Sequence, residues 1–207
     1  YFLRGNFRGA ARRGDDKEGE IPMKKKEACK PSIGGQAVLE GVMMRSKEAM
    51  AIAVRPVATW RDRRAFMRLP WRIYAGDANW VPMTARLERD QLDTRRHPFW
   101  RHGRGVLLLA YRGDEPAGRI TAHIDDNYIA HWSEQAGWFG FFECIDDKAV
   151  AAALLDAAGA WLRHEGIRVM RGPASPSAFG RFGVLTEGFD TPPVFMLSYN
   201  PPYYPAL

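Results

Sequence analysis

Cysteine is scarce in this chain of 207 residues, which has only Cys29 and Cys144. Two thiols so far apart in sequence exclude a disulfide-rich scaffold, and we expect both to be free in a reducing compartment. Long apolar runs are also missing: none approaches the roughly 20 residues of a membrane-spanning helix, and the opening segment lacks the apolar stretch of a signal peptide. These absences predict a cytoplasmic protein without a membrane partner.

Acidic residues are fewer than basic ones, and the net charge is +6. Residues 1–49 hold eleven Lys and Arg against seven Asp and Glu, which accounts for four of the six surplus charges and leaves two for the remainder. Nucleic-acid-binding domains concentrate basic charge on a folded surface, so this distribution predicts no nucleic-acid partner.

The N-terminal quarter differs from the rest of the chain. Residues 1–32 have almost no apolar periodicity, which predicts a disordered basic tail. Residues 33–45 read IGGQAVLEGVMMR and closely resemble the opening signature of an uncharacterised bacterial family. We therefore interpret residues 33–49 as a fragment of a second family, and residues 50–207 as the folded domain. Whether the junction is a genuine fusion stays open at this point.

The first part of that domain predicts a strand, two helices and a hairpin. A β-prone run covers Ile52–Ala58, and Thr59 with Asp62 forms a helix-start pattern. Pro70 should kink or break this helix midway. A second, charged helix is predicted over Thr84–Asp93. The segments 105–111 (GVLLLAY) and 118–124 (GRITAHI) flank turn residues and predict a β-hairpin.

The second part predicts a strand, a helix and another strand. The run 137–145 is apolar on both faces, as in a central strand, and Gly140 within it indicates a bulge or a close backbone approach by a ligand. Asp146 and Asp147 should cap a helix from Lys148 to about His164, followed by a parallel strand over residues 167–170. We also predict a short helix over residues 179–188 and a strand over residues 193–199.

This order of elements is that of the GCN5-related N-acetyltransferase fold. Several short motifs, in the correct order, resemble a bacterial group of that superfamily described as acetyltransferases. They are Arg61–Phe66, Leu69–Tyr74, Asn79–Pro82, Arg96–Phe99, Phe139–Cys144, Leu154–Asp156, Arg171–Pro173, Glu187–Pro193 and Tyr199–Tyr204. The resemblance implies an α/β fold with a mixed, mostly antiparallel central sheet flanked by helices, here truncated at its C-terminus.

The resemblance also implies an acyl-CoA site. In the superfamily a splayed central strand binds the pantetheine, and the following loop and helix N-terminus hold the pyrophosphate, a favourable place for an anion. By position, the cofactor-binding residues would be Gly140, Phe142, Cys144, Ile145, Lys148 and Ala149. This sequence departs from the usual basic, glycine-containing loop, since it has Asp146 and Asp147 at the helix start. These two carboxylates would repel a phosphate.

For catalysis, the resemblance implies a glutamate base on the central strand and a tyrosine acid late in the domain. Glu143 matches the first, and Tyr199, Tyr203 and Tyr204 are candidates for the second. A structural reading stays open for each: Glu143 paired with an arginine or solvated, and the tyrosines capping a sheet edge.

These observations lead to three hypotheses. The first is an N-acyltransferase that moves an acetyl or other acyl group from CoA to a small-molecule or peptide amine. The second is a catalytically inactive module of the same fold that binds a ligand, and the third is a truncated or fused product without activity. His123, Asp125, Asp126, His131 and Glu134 have no recognised metal-ligand spacing, so we predict no metal site and interpret this stretch as a strand end and loop. The sequence does not indicate an oligomeric state.

Overall fold

The computed structural model describes residues 5–6, 36–38, 41–43, 51–176, 181–194 and 197–207. Most of the predicted tail (1–32) and of the predicted family fragment (33–49) lies outside these ranges. The division of the chain into tail, fragment and domain therefore stays a prediction.

A single mixed sheet organises the described residues. Its strands are β1 (Gly5–Asn6), β2 (Gln36–Val38), β3 (Gly41–Met43), β4 (Ile52–Pro56), β5 (Gly103–Arg112), β6 (Glu115–Asp125), β7 (Ala136–Cys144) and β8 (Val169–Arg171). The spatial order is β1-β8-β7-β6-β5-β4-β3-β2. The neighbours pair antiparallel, except β7 and β8, which are parallel. This confirms the predicted mixed, mostly antiparallel sheet flanked by helices.

The helix that joins β7 to β8 forms where the sequence predicts it. This helix, α4 in chain order, spans Lys148–His164, and the Asp147 carboxylate caps it by accepting from the backbone N–H groups of Ala149 and Val150. Its buried stripe packs on one face of the sheet with alternate residues of the central strands. Parallel strands need such a crossover connection, so the helix and the β7–β8 pairing support each other.

The first helix, α1, spans Trp60–Ile73 and begins with the predicted capping box between Thr59 and Asp62. Of the kink or break predicted at Pro70, the break was wrong, because the helix continues past it. Proline removes the N–H that would bond the carbonyl four residues earlier. That carbonyl, of Phe66, instead accepts a hydrogen bond of 2.9 Å from Arg119 Nη1.

Two further helices and two 3₁₀ turns complete the regular structure of the described residues. They are α2 (Ala85–Gln91), α3 (Asp126–Trp132) and the 3₁₀ turns Pro98–Arg101 and Tyr204–Ala206. The segment α3 was expected to be a strand end and loop. It is helical because Asp125 caps it, accepting from the backbone N–H groups of Asn127 and Tyr128.

The predictions beyond β8 were wrong for the described residues. Residues 181–188 form no helix, and residues 193–194 and 197–199 form no strand. Side chains satisfy this backbone in place of a ladder: Asn200 accepts from the N–H of Leu185 and donates to its carbonyl. Gly183 and Gly188 have φ angles of 77° and 79°, outside the helical region.

The two faces of the sheet bury different kinds of residue. On β6, Ile120, Ala122 and Ile124 point to the α4 side and join the main apolar core. The alternate residues Arg119, Thr121 and His123 point to the other side. All three are nearly inaccessible to solvent. In the sequence, this alternation is typical of a half-exposed strand. In the structure, other segments cover the polar face and bury it.

Candidate active site

A β-bulge in β7 places Glu143 on the polar side of the sheet. Arg119 pairs with Glu143 and Thr121 pairs with Gly140, so β7 has one more residue than β6 between these pairs. Phe141 absorbs the irregularity with a φ of 47°. The predicted bulge is confirmed. The close approach at Gly140 is made by the chain itself, since a Cβ atom there would overlap the carbonyl oxygen of Ala174.

The Glu143 carboxylate is buried, with 5% of the residue exposed, and three side chains surround it. Its Oε2 atom accepts hydrogen bonds from Tyr74 Oη at 2.8 Å and Tyr204 Oη at 2.9 Å. Its Oε1 atom lies 3.8 Å from Arg119 Nη2. The C-cap of α1 supplies Tyr74, strand β6 supplies Arg119 and the C-terminal 3₁₀ turn supplies Tyr204, so only the assembled fold forms this group.

Arg119 links the site to both flanking helices. It is 1% exposed, its Nη1 donates to the Phe66 carbonyl on α1, and its Nη2 donates to Glu88 Oε1 on α2 at 2.8 Å. Its guanidinium carbon also lies 5.0 Å from the Phe66 ring centroid, within the range of a cation–π contact. Removing a guanidinium from water is costly, and the hydrogen bonds and the nearby carboxylates of Glu88 and Glu143 offset that cost.

Burial dominates the proton equilibria of the site. It raises the pKa of Glu143, while the charge of Arg119 and the two tyrosine hydrogen bonds act in the opposite direction. Burial and the neighbouring Glu143 raise the pKa of Tyr74 and of Tyr204. Both phenols therefore remain protonated at neutral pH and donate to the carboxylate, whose pKa is shifted towards neutrality.

A small cavity of about 60 Å³ adjoins Glu143 and Arg119. Its wall also includes Gln91 on α2, Phe142 on β7 and Tyr204. Within the described part of the chain, Arg119 Nε and Gln91 Oε1 are buried without a hydrogen-bond partner. A buried donor and acceptor left unpaired favour occupation by a polar group, and the volume accommodates a few waters or the head of a substrate.

The other two predicted tyrosines have partners of their own. Tyr199 Oη donates to the Asp77 carboxylate at 2.8 Å, and burial followed by Asp77 raises its pKa to about 12. Tyr203 Oη donates to the Cys144 carbonyl at 2.7 Å. Of the three candidates for the acid, only Tyr204 contacts Glu143 through its hydroxyl. Tyr199 reaches the site through its backbone carbonyl, 3.2 Å from Tyr74 Oη.

The backbone groups expected to receive a cofactor bond to protein atoms. The N–H of Cys144 donates to Tyr204 Oη at 2.8 Å, and the N–H of Ile145 donates to the Ala117 carbonyl at 3.0 Å. The N–H of Ala149 donates to the Asp147 carboxylate at 2.9 Å. These donors, with an acidic cap at the helix start, do not fit the pyrophosphate of CoA.

The remaining predicted cofactor residues are dispersed. Gly140 packs against Ala174, and Phe142 lines the cavity and contacts the Tyr204 ring edge-on, with centroids 5.5 Å apart. Lys148 is exposed at the first turn of α4. Burial raises the pKa of the Cys144 thiol to about 12, which keeps it protonated and unreactive.

Sequence reasoning missed Tyr74, Arg119 and Glu88 as site residues. Tyr74 appeared as one apolar position at the end of an amphipathic helix, and Glu88 as part of a charged helix. Arg119 carried a usable signal, because an arginine within a hairpin strand needs a buried partner if that face of the strand is covered.

No group of three or more His, Cys, Asp or Glu side chains among the described residues is placed to hold a metal ion. No helix among them is long and apolar enough to cross a bilayer.

The chain is similar in sequence to two bacterial proteins. It is 36% identical over 153 residues to Protein YghO of Escherichia coli K12, an alignment that covers 74% of this chain and 39% of that protein. It is also 36% identical over 153 residues to the bacterial ceramide synthase of Caulobacter vibrioides, covering 73% of this chain and 40% of that protein.

The aligned part thus spans about two fifths of the length of these relatives. No protein-family model matches the chain, and no solved structure matches it.

Proposed function

We propose that this chain carries the amine-activating part of an acyltransferase that forms an amide bond, with Glu143 as the general base. The observation that carries the proposal is the buried Glu143 carboxylate, held by Tyr74, Tyr204 and Arg119 beside a cavity with unpaired polar atoms. The similarity to a protein named bacterial ceramide synthase supports it. A ceramide is, chemically, an amide of a fatty acid and a long-chain amino alcohol.

The chemistry requires a base of raised pKa. An amine is protonated at neutral pH and must lose a proton before its nitrogen can attack an acyl carbonyl. A carboxylate whose pKa is shifted upward by burial accepts that proton more readily than a solvated one. The C–N bond then forms, the bond from the acyl carbon to its leaving group breaks, and the leaving group departs with its electron pair and takes up the second proton lost by the nitrogen.

The neighbours of Glu143 have positioning roles in this proposal. Tyr74 and Tyr204 both donate to Oε2, which leaves Oε1 to face the substrate nitrogen. Arg119 Nη2, 3.8 Å from Oε1, limits how far the carboxyl pKa rises. We assign no residue to the CoA nucleotide, because the donors at the start of α4 already have protein partners.

The test is amide formation by the whole chain, followed by mass spectrometry. Sphinganine serves as the long-chain amine, and palmitoyl-CoA and palmitoyl-N-acetylcysteamine serve as alternative thioester donors. We expect Glu143→Gln to lower kcat by about 10²–10⁴-fold. Asp156→Asn, the same carboxylate-to-amide change on the exposed face of α4, should leave kcat unchanged.

Three results would count against this assignment. Equal rates for the wild type and Glu143→Gln would remove Glu143 from the reaction. Absence of product with both donors, from a folded chain, would favour the inactive binding module. The rate of the wild type should fall at acidic pH as Glu143 becomes protonated, with a midpoint above the ordinary pKa range of glutamate. A pH–rate profile without this fall would contradict the raised pKa of the base.

A further inference from the structure

The outer face of α1 carries a stripe of exposed aromatic and basic side chains. Trp60, Arg64, Met67, Arg68 and Trp71 are spaced by three or four residues or lie next to each other on that face. From the first tryptophan to the second, an α-helix rises about 16 Å and returns to within ~20° of its starting direction. The two indoles, 69% and 42% exposed, therefore stand at the two ends of one face.

A surface groove of about 920 Å³ lies between this stripe and α2. Its lining consists of arginines and apolar side chains, with no carboxylate among the described lining residues. They are Trp60, Arg63, Arg64, Met67, Arg68, Trp71, Arg72, Ala85 and Arg89.

Part of this basic charge has no protein counterpart. Arg72 pairs with Glu115 at 2.6 Å, and Arg63 donates to the Leu92 carbonyl at 2.9 Å. Among the residues that the structure describes, the guanidinium groups of Arg64, Arg68 and Arg89 have neither an ion pair nor a hydrogen-bond partner. Unpaired guanidinium groups interleaved with exposed indoles suit anionic phosphates next to apolar chains.

The groove adjoins the candidate active site. Trp71 lines the groove, and it also lines a small crevice whose lining includes Arg119 and Glu143. The groove and the candidate active site therefore share Trp71 as a neighbour.

We propose that this groove docks the chain on an anionic phospholipid bilayer, with the arginines on head-group phosphates and Trp60 and Trp71 at the interface. Met67, which also lines the groove, adds an aliphatic side chain to this contact. A nucleic acid would instead use aromatic stacking and a wider basic surface. The proposal departs from the expectation of no membrane partner. A peripheral contact of this kind needs neither a spanning helix nor a long apolar run.

Vesicle sedimentation tests the proposal. The whole chain should bind vesicles of phosphatidylglycerol mixed with phosphatidylcholine, bind pure phosphatidylcholine vesicles weakly, and dissociate at high salt. Arg64→Glu/Arg68→Glu should weaken binding by about 30-fold or more. Arg163→Glu/Arg168→Glu makes the same charge change on α4 and just before β8, and should leave binding unchanged. Circular dichroism verifies that both variants fold.

A second measurement identifies the contact. Brominated lipids should quench tryptophan fluorescence in the wild type, and less in Trp60→Phe/Trp71→Phe. Equal affinity for neutral and anionic vesicles, an equal loss in both arginine variants, or tighter binding to an RNA oligonucleotide than to vesicles would overturn the proposal. Glu143→Gln should bind vesicles like the wild type, so this result is independent of the acyltransferase assay.

Discussion

Arg119→Met tests the central interaction of the candidate site. Methionine retains much of the apolar stem but removes the guanidinium, which is 1% exposed and bonds to Glu88 at 2.8 Å and to the Phe66 carbonyl at 2.9 Å. Glu88 then loses its buried counter-charge, and Glu143 loses the nearest cation. Removing one partner of a buried ion pair costs about 3–5 kcal/mol.

That cost is a large part of the stability of an ordinary domain, about 5–15 kcal/mol. Urea denaturation followed by circular dichroism at neutral pH measures it. The matched control is Arg104→Met: Arg104 pairs with Asp126 and Glu165, but its side chain is 43% exposed. Solvent screening limits that loss to about 0–1 kcal/mol.

A second substitution tests the hydrogen bond between Arg119 and the Phe66 carbonyl. In the Arg119→Met background, Pro70→Ala restores an N–H that can bond this carbonyl, and should recover about 1 kcal/mol. In the wild type that carbonyl already accepts a hydrogen bond from Arg119, so Pro70→Ala should raise the free energy of unfolding by less. A loss below about 1.5 kcal/mol for Arg119→Met, or identical effects of Pro70→Ala in both backgrounds, would refute the reasoning.

Three further changes probe other parts of the fold. Burial lowers the pKa of His123 from 6.5 to about 3. Below pH 6.5 the unfolded chain therefore binds a proton that the folded chain does not, and the free energy of unfolding decreases as the pH is lowered. Between pH 7.5 and about pH 5, the free energy of unfolding of His123→Phe should decrease by about 2 kcal/mol less than that of the wild type in urea titrations; equal decreases would contradict the shift. Asp147→Ala removes the α4 cap and should cost about 1 kcal/mol by thermal denaturation, whereas Asp146→Ala should cost less. Gly140→Ala places a methyl group against the Ala174 carbonyl and should destabilise by about 1–3 kcal/mol; a neutral effect in denaturation would show that this contact can relax.

Local signals in the sequence determined much of the framework. The capping box at Thr59, the hairpin around Gly113, and α4 with its Asp147 cap all depend on interactions within a few residues. Such patterns can be read from neighbouring residues because backbone geometry and capping are local. Glu143 could also be singled out, as an acid in an otherwise apolar strand.

Tertiary structure alone decided what surrounds Glu143. Tyr74 and Tyr204 are separated from it by 69 and 61 residues in the chain, and no local pattern specifies that their hydroxyls meet one carboxylate oxygen. The same holds for Pro70, which local rules identify as a helix breaker. It is accommodated because a distant arginine uses the carbonyl that proline leaves unbonded. Polar residues at alternate positions of β6 became a buried site for the same reason: whether a strand face is wet or covered depends on segments far away in sequence.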